Sequence, residues 1–114
     1  MDTGSRLEGH AANDAVNLAY HKAIATKLRS EPAVLDRARL RVRGWLNEGT
    51  ASAYYAELWD QALAGSMDDL LAVLADRSER ATAMRQVSPF AGALTPQERW
   101  AIWRRVRRPS GRGA

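Results

Sequence analysis

Apolar residues recur along this chain at three- and four-residue steps, and no stretch alternates over a length useful for a strand. From Asn13 the series Ala15, Val16, Ala19, Tyr20, Ala23, Ile24 and Leu28 predicts a first helix, with Asn13 or Asp14 as cap and Lys27 and Arg29 in its last turn. Ser30-Glu31-Pro32 interrupts it, since proline suits the first turn of a new helix and disfavours the continuation of an old one. A second helix over roughly 32–47 is expected to bury Val34, Leu35, Ala38, Val42, Trp45 and Leu46. Gly49 then fits a left-handed stop, and Thr50 or Ser52 a new cap. A third helix over about 52–64 carries the paired apolar steps Tyr54/Tyr55, Leu58/Trp59 and Ala62/Leu63, with Glu57, Asp60 and Gln61 outward.

Ser66-Met67-Asp68-Asp69 resembles a capping box with Asp in place of Glu, and predicts a fourth helix to about Ala75 with Met67, Leu70, Leu71 and Leu74 on one face. Asp76 to Glu79 reads as another start, so either a fifth helix runs from about 77 to 87 with Ala81, Met84 and Val87 inward, or one bent helix covers 67–87. The last helix, 96–107, begins on Thr95-Pro96-Gln97-Glu98. Here the Thr95 hydroxyl faces the N3 amide, Pro96 gives up no needed donor, and Glu98 reaches back to the cap. The expected fold class is all-α: a compact bundle of five to six short helices in residues 12–108, with a flexible arm at 1–11 and a flexible tail at 109–114.

Composition narrows the function classes. A chain of 114 residues has room for one modest core, and 46% hydrophobic with 26% charged residues is ordinary globular usage. The absence of cysteine removes disulfides, thiol catalysis and Cys-zinc sites and fits a reducing cytoplasm. No apolar run approaches the roughly 18–20 residues of a membrane span, and the first ten residues lack a signal-peptide core, so a cytoplasmic protein without membrane partners is expected. The net charge of +4 permits nucleic-acid binding without requiring it.

Candidate chemistry is sparse. No Gly-x-Ser-x-Gly and no phosphate-cradling glycine motif occurs. His10 and His21 read as surface or boundary histidines. Asp69 reads as a capping acid, and Asp68 as favourable charge at a helix start. No catalytic, cofactor or metal site is therefore expected, and the protein reads as a non-enzyme. The arginines carry more information. In the second helix Arg37/Arg41 and Arg39/Arg43 lie on two rows, with Asp36 placed to pair with Arg39, while Arg104, Arg105, Arg107 and Arg108 crowd the last helix. Of the four tryptophans, Trp45 and Trp59 fall on periodic core faces. Trp100 and Trp103 sit three apart on a basic helix, and with Phe90 and Leu94 of the preceding loop they form either the lid of the core or an aromatic-plus-Arg interface patch.

A resemblance adds to this reading. His21-Lys-x-Ile-Ala-x-Lys-Leu28, Trp59, Ser78-Glu-Arg-Ala81, Met84-Arg-Gln86 and above all Ser88-Pro-Phe-Ala-Gly-x-Leu-Thr-Pro-x-Glu-Arg99 resemble a group of short bacterial helical proteins of toxin–antitoxin-type operons. What the resemblance implies is an antitoxin-like regulator that binds and neutralises a protein partner, a toxin encoded by the adjacent gene. The residues expected to meet that partner are Phe90, Leu94, Arg99, Trp100, Trp103, Arg104 and Arg105. The alternative is a basic nucleic-acid-binding helical protein of transcriptional-regulator type using Arg37, Arg41, Arg104, Arg105 and Arg108. A homodimer would hide the aromatic excess of so small a chain.

Overall fold

The computed structural model describes residues 3–107, with side chains from residue 12 onward. Six helices follow one another: α1 Thr3–Ser30, α2 Pro32–Glu48, α3 Ala53–Ala64, α4 Met67–Ala75, α5 Glu79–Gln86 and α6 Pro96–Arg107. No strand occurs among the described residues, and no helix there is long and apolar enough to cross a membrane. The all-α expectation holds, and the question over 67–87 resolves as two helices.

Most boundaries have visible local causes. Pro32 occupies the first turn of α2, and Gly49 ends that helix at φ 67°, donating its amide to the Trp45 carbonyl. The Ser66 and Ser78 hydroxyls accept from the Asp69 and Ala81 amides, 3.0 and 3.1 Å away, and so start α4 and α5. Ser52 occupies the cap position of α3, but its side chain makes no capping bond. At α6 both halves of the box form: the Glu98 amide donates to Thr95 Oγ1 at 3.1 Å, and the Thr95 amide to Glu98 Oε1 at 2.7 Å.

One boundary differs. The first helix begins at Thr3 and not at Asn13, so residues 3–11 of the expected arm belong to α1. Extending an existing helix adds a hydrogen bond for each residue fixed, with no new nucleation cost, and two isolated glycines do not outweigh that. The expected tail 109–114 lies outside the described residues.

Among the helices α6 touches α1 alone. The long α1 also contacts α2, α4 and α5, and α3 contacts α2, α4 and α5 without reaching α1. Hence α3 and α6 do not touch, and α1 with α2, α4 and α5 stands between them. The core between them holds Ile24, Leu28, Val34, Ala38, Val42, Leu63, Leu70, Leu74, Met84 and Ile102 around Trp59, which has 0% of its surface exposed. Trp59 donates its indole N–H to the Met84 carbonyl at 3.0 Å and meets the edge of Phe90 at 5.8 Å between ring centroids.

The loop from Ser88 to Thr95 fills this core. Pro89, Phe90, Ala93 and Leu94 are buried, the Ala93 amide donates to the Phe90 carbonyl, and Gly92 takes the positive φ of 85° that closes the turn. Several core expectations need correction. Leu46, Tyr54 and Met67 are exposed, and Leu35, Trp45 and Val87 are only partly buried. Leu46 and Met67 both lie near helix ends, where the neighbouring helix no longer covers the face that periodicity assigns inward.

His21 is the larger surprise, since it is 3% exposed and not a surface or boundary residue. Its Nδ1 faces the Asn17 carbonyl at 2.8 Å, which only accepts, so Nδ1 carries the proton. Nε2, 2.8 Å from Ser88 Oγ, then accepts from that hydroxyl. Ser88 Oγ in turn accepts from the Phe90 amide at 3.1 Å. This relay pins the core-filling loop to α1. Burial, partly opposed by the Asn17 bond and reinforced by the Arg85 charge, holds the imidazole below its ordinary value.

A depressed histidine is neutral in the native state and takes up its proton first when unfolded. Its stabilisation is therefore complete above the ordinary imidazole value of about 6.5 and fades as the pH falls below it. The urea midpoint of the wild-type protein is expected to fall between about pH 6.5 and 5, before most carboxylates titrate. His21→Gln is expected to be less stable at pH 7 but to lose most of that slope; an unchanged slope would assign it to other groups.

Candidate functional site

Whether the basic residues are available to a partner depends on what already holds them. Arg85 is buried, and its Nη1 donates to the Val73 and Asp76 carbonyls at 3.1 and 2.6 Å, while Nη2 reaches Thr82 Oγ1 at 3.3 Å. It closes the carbonyl end of α4, which no glycine cap serves. Arg39 does the same for α3, donating to the Leu63 carbonyl at 3.1 Å, and does not pair with Asp36 as the sequence predicts. Arg41 donates to the Ala91 carbonyl at 3.0 Å. Lys27 donates to the Ala93 carbonyl at 2.9 Å and pairs with Glu98 at 2.7 Å, the one ion pair among the described residues. That contact and the Thr95 amide hold the Glu98 carboxyl below its usual range. Much of the positive charge is thus structural, tying helix ends and the central loop to their neighbours.

The outer face of α6 is different. Ile102 is buried and Val106 half-buried, and together they set the inward stripe against α1. Trp100, Trp103, Arg104 and Arg107 follow at steps of three and four, which places them on one outward face. The two indoles stack at 5.1 Å with 10° between their planes. The Arg104 guanidinium lies 5.7 Å from the Trp100 ring centre and that of Arg107 5.6 Å from Trp103. Trp100 is 55% exposed and Trp103 39%. Beside them Arg99 lies over Tyr20 of α1 at 5.3 Å. Tyr20, Gly92, Leu94, Thr95, Pro96, Arg99 and the two tryptophans enclose a groove of about 720 Å³.

The residues expected at a partner surface therefore separate. Phe90 and Leu94 are core residues, 4% and 7% exposed, so neither serves as an exposed anchor. The central loop has no other filling to offer the space between α1 and α3, and Leu94 contributes only to the groove floor. Arg99, Trp100, Trp103, Arg104 and Arg105 are exposed together on α6. Arg107 joins them through its contact with Trp103; the i, i+4 spacing of 103 and 107 carried that signal.

Of the residues of the nucleic-acid alternative, Arg37 and Arg41 lie on α2, which does not touch α6, and Arg41 donates to the Ala91 carbonyl. Arg108 lies outside the described residues. The outward side of α3, which follows α2 as a reading helix would, shows Tyr54, Glu57, Asp60 and Gln61, a combination that repels phosphate. Among the described residues no three His, Asp or Glu side chains stand close enough to hold a metal ion.

Ser88 and His21 stand at the distance of a nucleophile and its base. Their hydrogen bonds to Asn17 and Phe90 account for both groups as the pin of the central loop. No protein-family model matches the chain, and no curated protein or solved structure is significantly similar to it.

Proposed function

We propose that this protein is a non-enzymatic interaction module, an antitoxin-like regulator that binds and neutralises a partner protein through the outer face of α6. The observation that carries this reading is the exposed, stacked Trp100–Trp103 pair, held in place by its own arginines on a helix that only α1 supports. Two adjacent exposed tryptophans keep a large apolar area in water, and such a patch rimmed by charge is the composition of an interface centre. The residues assigned to the contact are Trp100, Trp103, Arg99, Arg104, Arg105 and Arg107. The partner's surface is acidic, because among the described residues no carboxylate pairs with an α6 arginine and the carboxylate of α6 itself, Glu98, is taken by Lys27.

Co-expression with the product of the adjacent gene tests the reading, with co-purification and growth rescue as readouts. Trp100→Ala/Trp103→Ala is expected to weaken capture by about a hundredfold or more, as two interface anchors of about 2 kcal/mol each would. Helical content should stay unchanged, and the urea midpoint should correspond to a loss of no more than about 1 kcal/mol. Full capture by the folded double variant would remove the α6 face from the interaction.

A further inference from the structure

We propose that the groove beside α6 receives an acidic amphipathic helix of the partner, with carboxylates one turn apart held by Arg104 and Arg107 and a large apolar side chain seated against Leu94, Pro96 and Trp103. This rests on the interaction reading above and names the form of the segment recognised. Arg104 and Arg107 each lie over an indole, and neither meets a carboxylate among the described residues. Arg104 makes no hydrogen bond among the described residues and Arg107 gives only Nη1 to Asn13 Oδ1 at 3.4 Å, so both keep N–H donors for a carboxylate. The ring contacts already restrict both side chains, which lowers the entropy cost of holding them on binding.

The spacing selects a helix. Arg104 and Arg107 are three residues apart, a rise of about 4.5 Å along α6, which matches carboxylates at i, i+3 on a facing helix. Same-face residues of an extended strand stand about 6.6 Å apart. The groove of about 720 Å³ takes anchor side chains of a helix laid along it.

Other occupants fit less well. Each indole already has an aromatic and a cationic neighbour, so a nucleic-acid base would have to displace one of them to stack. A two-fold pairing of α6 with a second copy sets arginines against arginines. The acidic side of α3, with exposed Tyr54, Glu57 and Asp60, belongs to a helix that does not touch α6. Joining α6 of one copy to α3 of the next leaves an unpaired face at each end, the geometry of an open chain.

The test uses the full chain and fluorescence anisotropy with a labelled, alanine-based peptide of about 18 residues, long enough to be helical, bearing one Phe and two Glu one turn apart. Its companions are a scrambled peptide of identical composition, a Glu→Gln peptide and a mixed-sequence single-stranded RNA. The patterned peptide is expected to bind about tenfold or more tightly than the scrambled or Gln peptide, and Arg104→Gln/Arg107→Gln to lose about as much. The peptide-side changes keep the test valid whatever the variant does to folding. Equal binding of patterned and scrambled peptides, tighter binding of RNA, or a concentration-dependent mass that saturates the face with copies of this chain would each overturn the proposal. If the adjacent gene's product is still captured through Trp100 and Trp103 while the patterned peptide has no advantage, only the acidic helix is lost. If neither is bound, the interaction reading falls with it.

Discussion

Replacing Trp59 with Ala is expected to lower the stability of this protein by about 3–5 kcal/mol, much of the 5–15 kcal/mol that holds a typical domain folded. Trp59 is completely enclosed and borders Phe90, and its indole N–H satisfies the Met84 carbonyl close to the end of α5. The alanine removes the dispersion contacts of the largest core side chain and leaves a cavity, while the Met84 carbonyl loses one of its two donors and keeps the Val87 amide. Urea unfolding followed by far-UV circular dichroism measures the loss. Trp59→Phe separates the contributions: it retains most of the volume and gives up the indole hydrogen bond, and since the Met84 carbonyl keeps the Val87 amide it is expected to cost about 1–2 kcal/mol. A loss below about 1 kcal/mol for the alanine variant would mean that the core closes differently around this position.

The second large effect concerns charge used as structure. Arg85→Ala is expected to cost about 1–3 kcal/mol, because the Val73 and Asp76 carbonyls lose a charged donor. Arg85→Lys is expected to recover only part of this, since one ammonium on a flexible stem does not reproduce the planar fork. Urea midpoints at constant m-value measure both. By contrast, neutralising Arg105, exposed on α6 with no hydrogen bond among the described residues, belongs with surface changes of about 0.5 kcal/mol or less.

The contrast between Arg85 and the α6 arginines explains how a chain with a net charge of +4 distributes its function. Short helices packed together leave several carbonyl ends inside or against the body of the protein. Guanidinium groups with several fixed donors serve such ends from a neighbouring helix. Arg39 and Arg85 act in this way, and Arg41 ties down the Ala91 carbonyl of the central loop. The arginines on the outward side of α6 donate to no backbone carbonyl among the described residues and lie over aromatic rings. The proposed interaction face is what remains after the internal demands for cations have been met.

Local physics made most of the fold legible in the sequence. Pro32, Gly49, Ser66, Ser78 and the Thr95–Glu98 pair each act within four residues, so their effect follows from composition and spacing alone. The same holds for the core stripes of α2, α3 and α6, whose buried faces have helical periods. The start of α1 was not legible, because the interval between Thr3 and Asn13 carries no apolar period and neither a cap nor a breaker strong enough to set a boundary.

The segment from Ser88 to Trp100 shows where tertiary structure takes over. The sequence by itself determined the turn, the cap and the helix that follows, because these depend on near neighbours. It left Phe90, Leu94, Trp100 and Trp103 as one undivided apolar group. Only the packed chain separated them. Phe90 and Leu94 enter the space between α1 and α3, and a relay from His21 through Ser88, 67 residues apart in sequence, fixes the loop there. Trp100 and Trp103 fall on the side of α6 that no other helix covers. Periodicity records which residues share a face of a helix. What covers that face is set by contacts between distant segments, and that decided which aromatic residues hold the protein together and which are left for a partner.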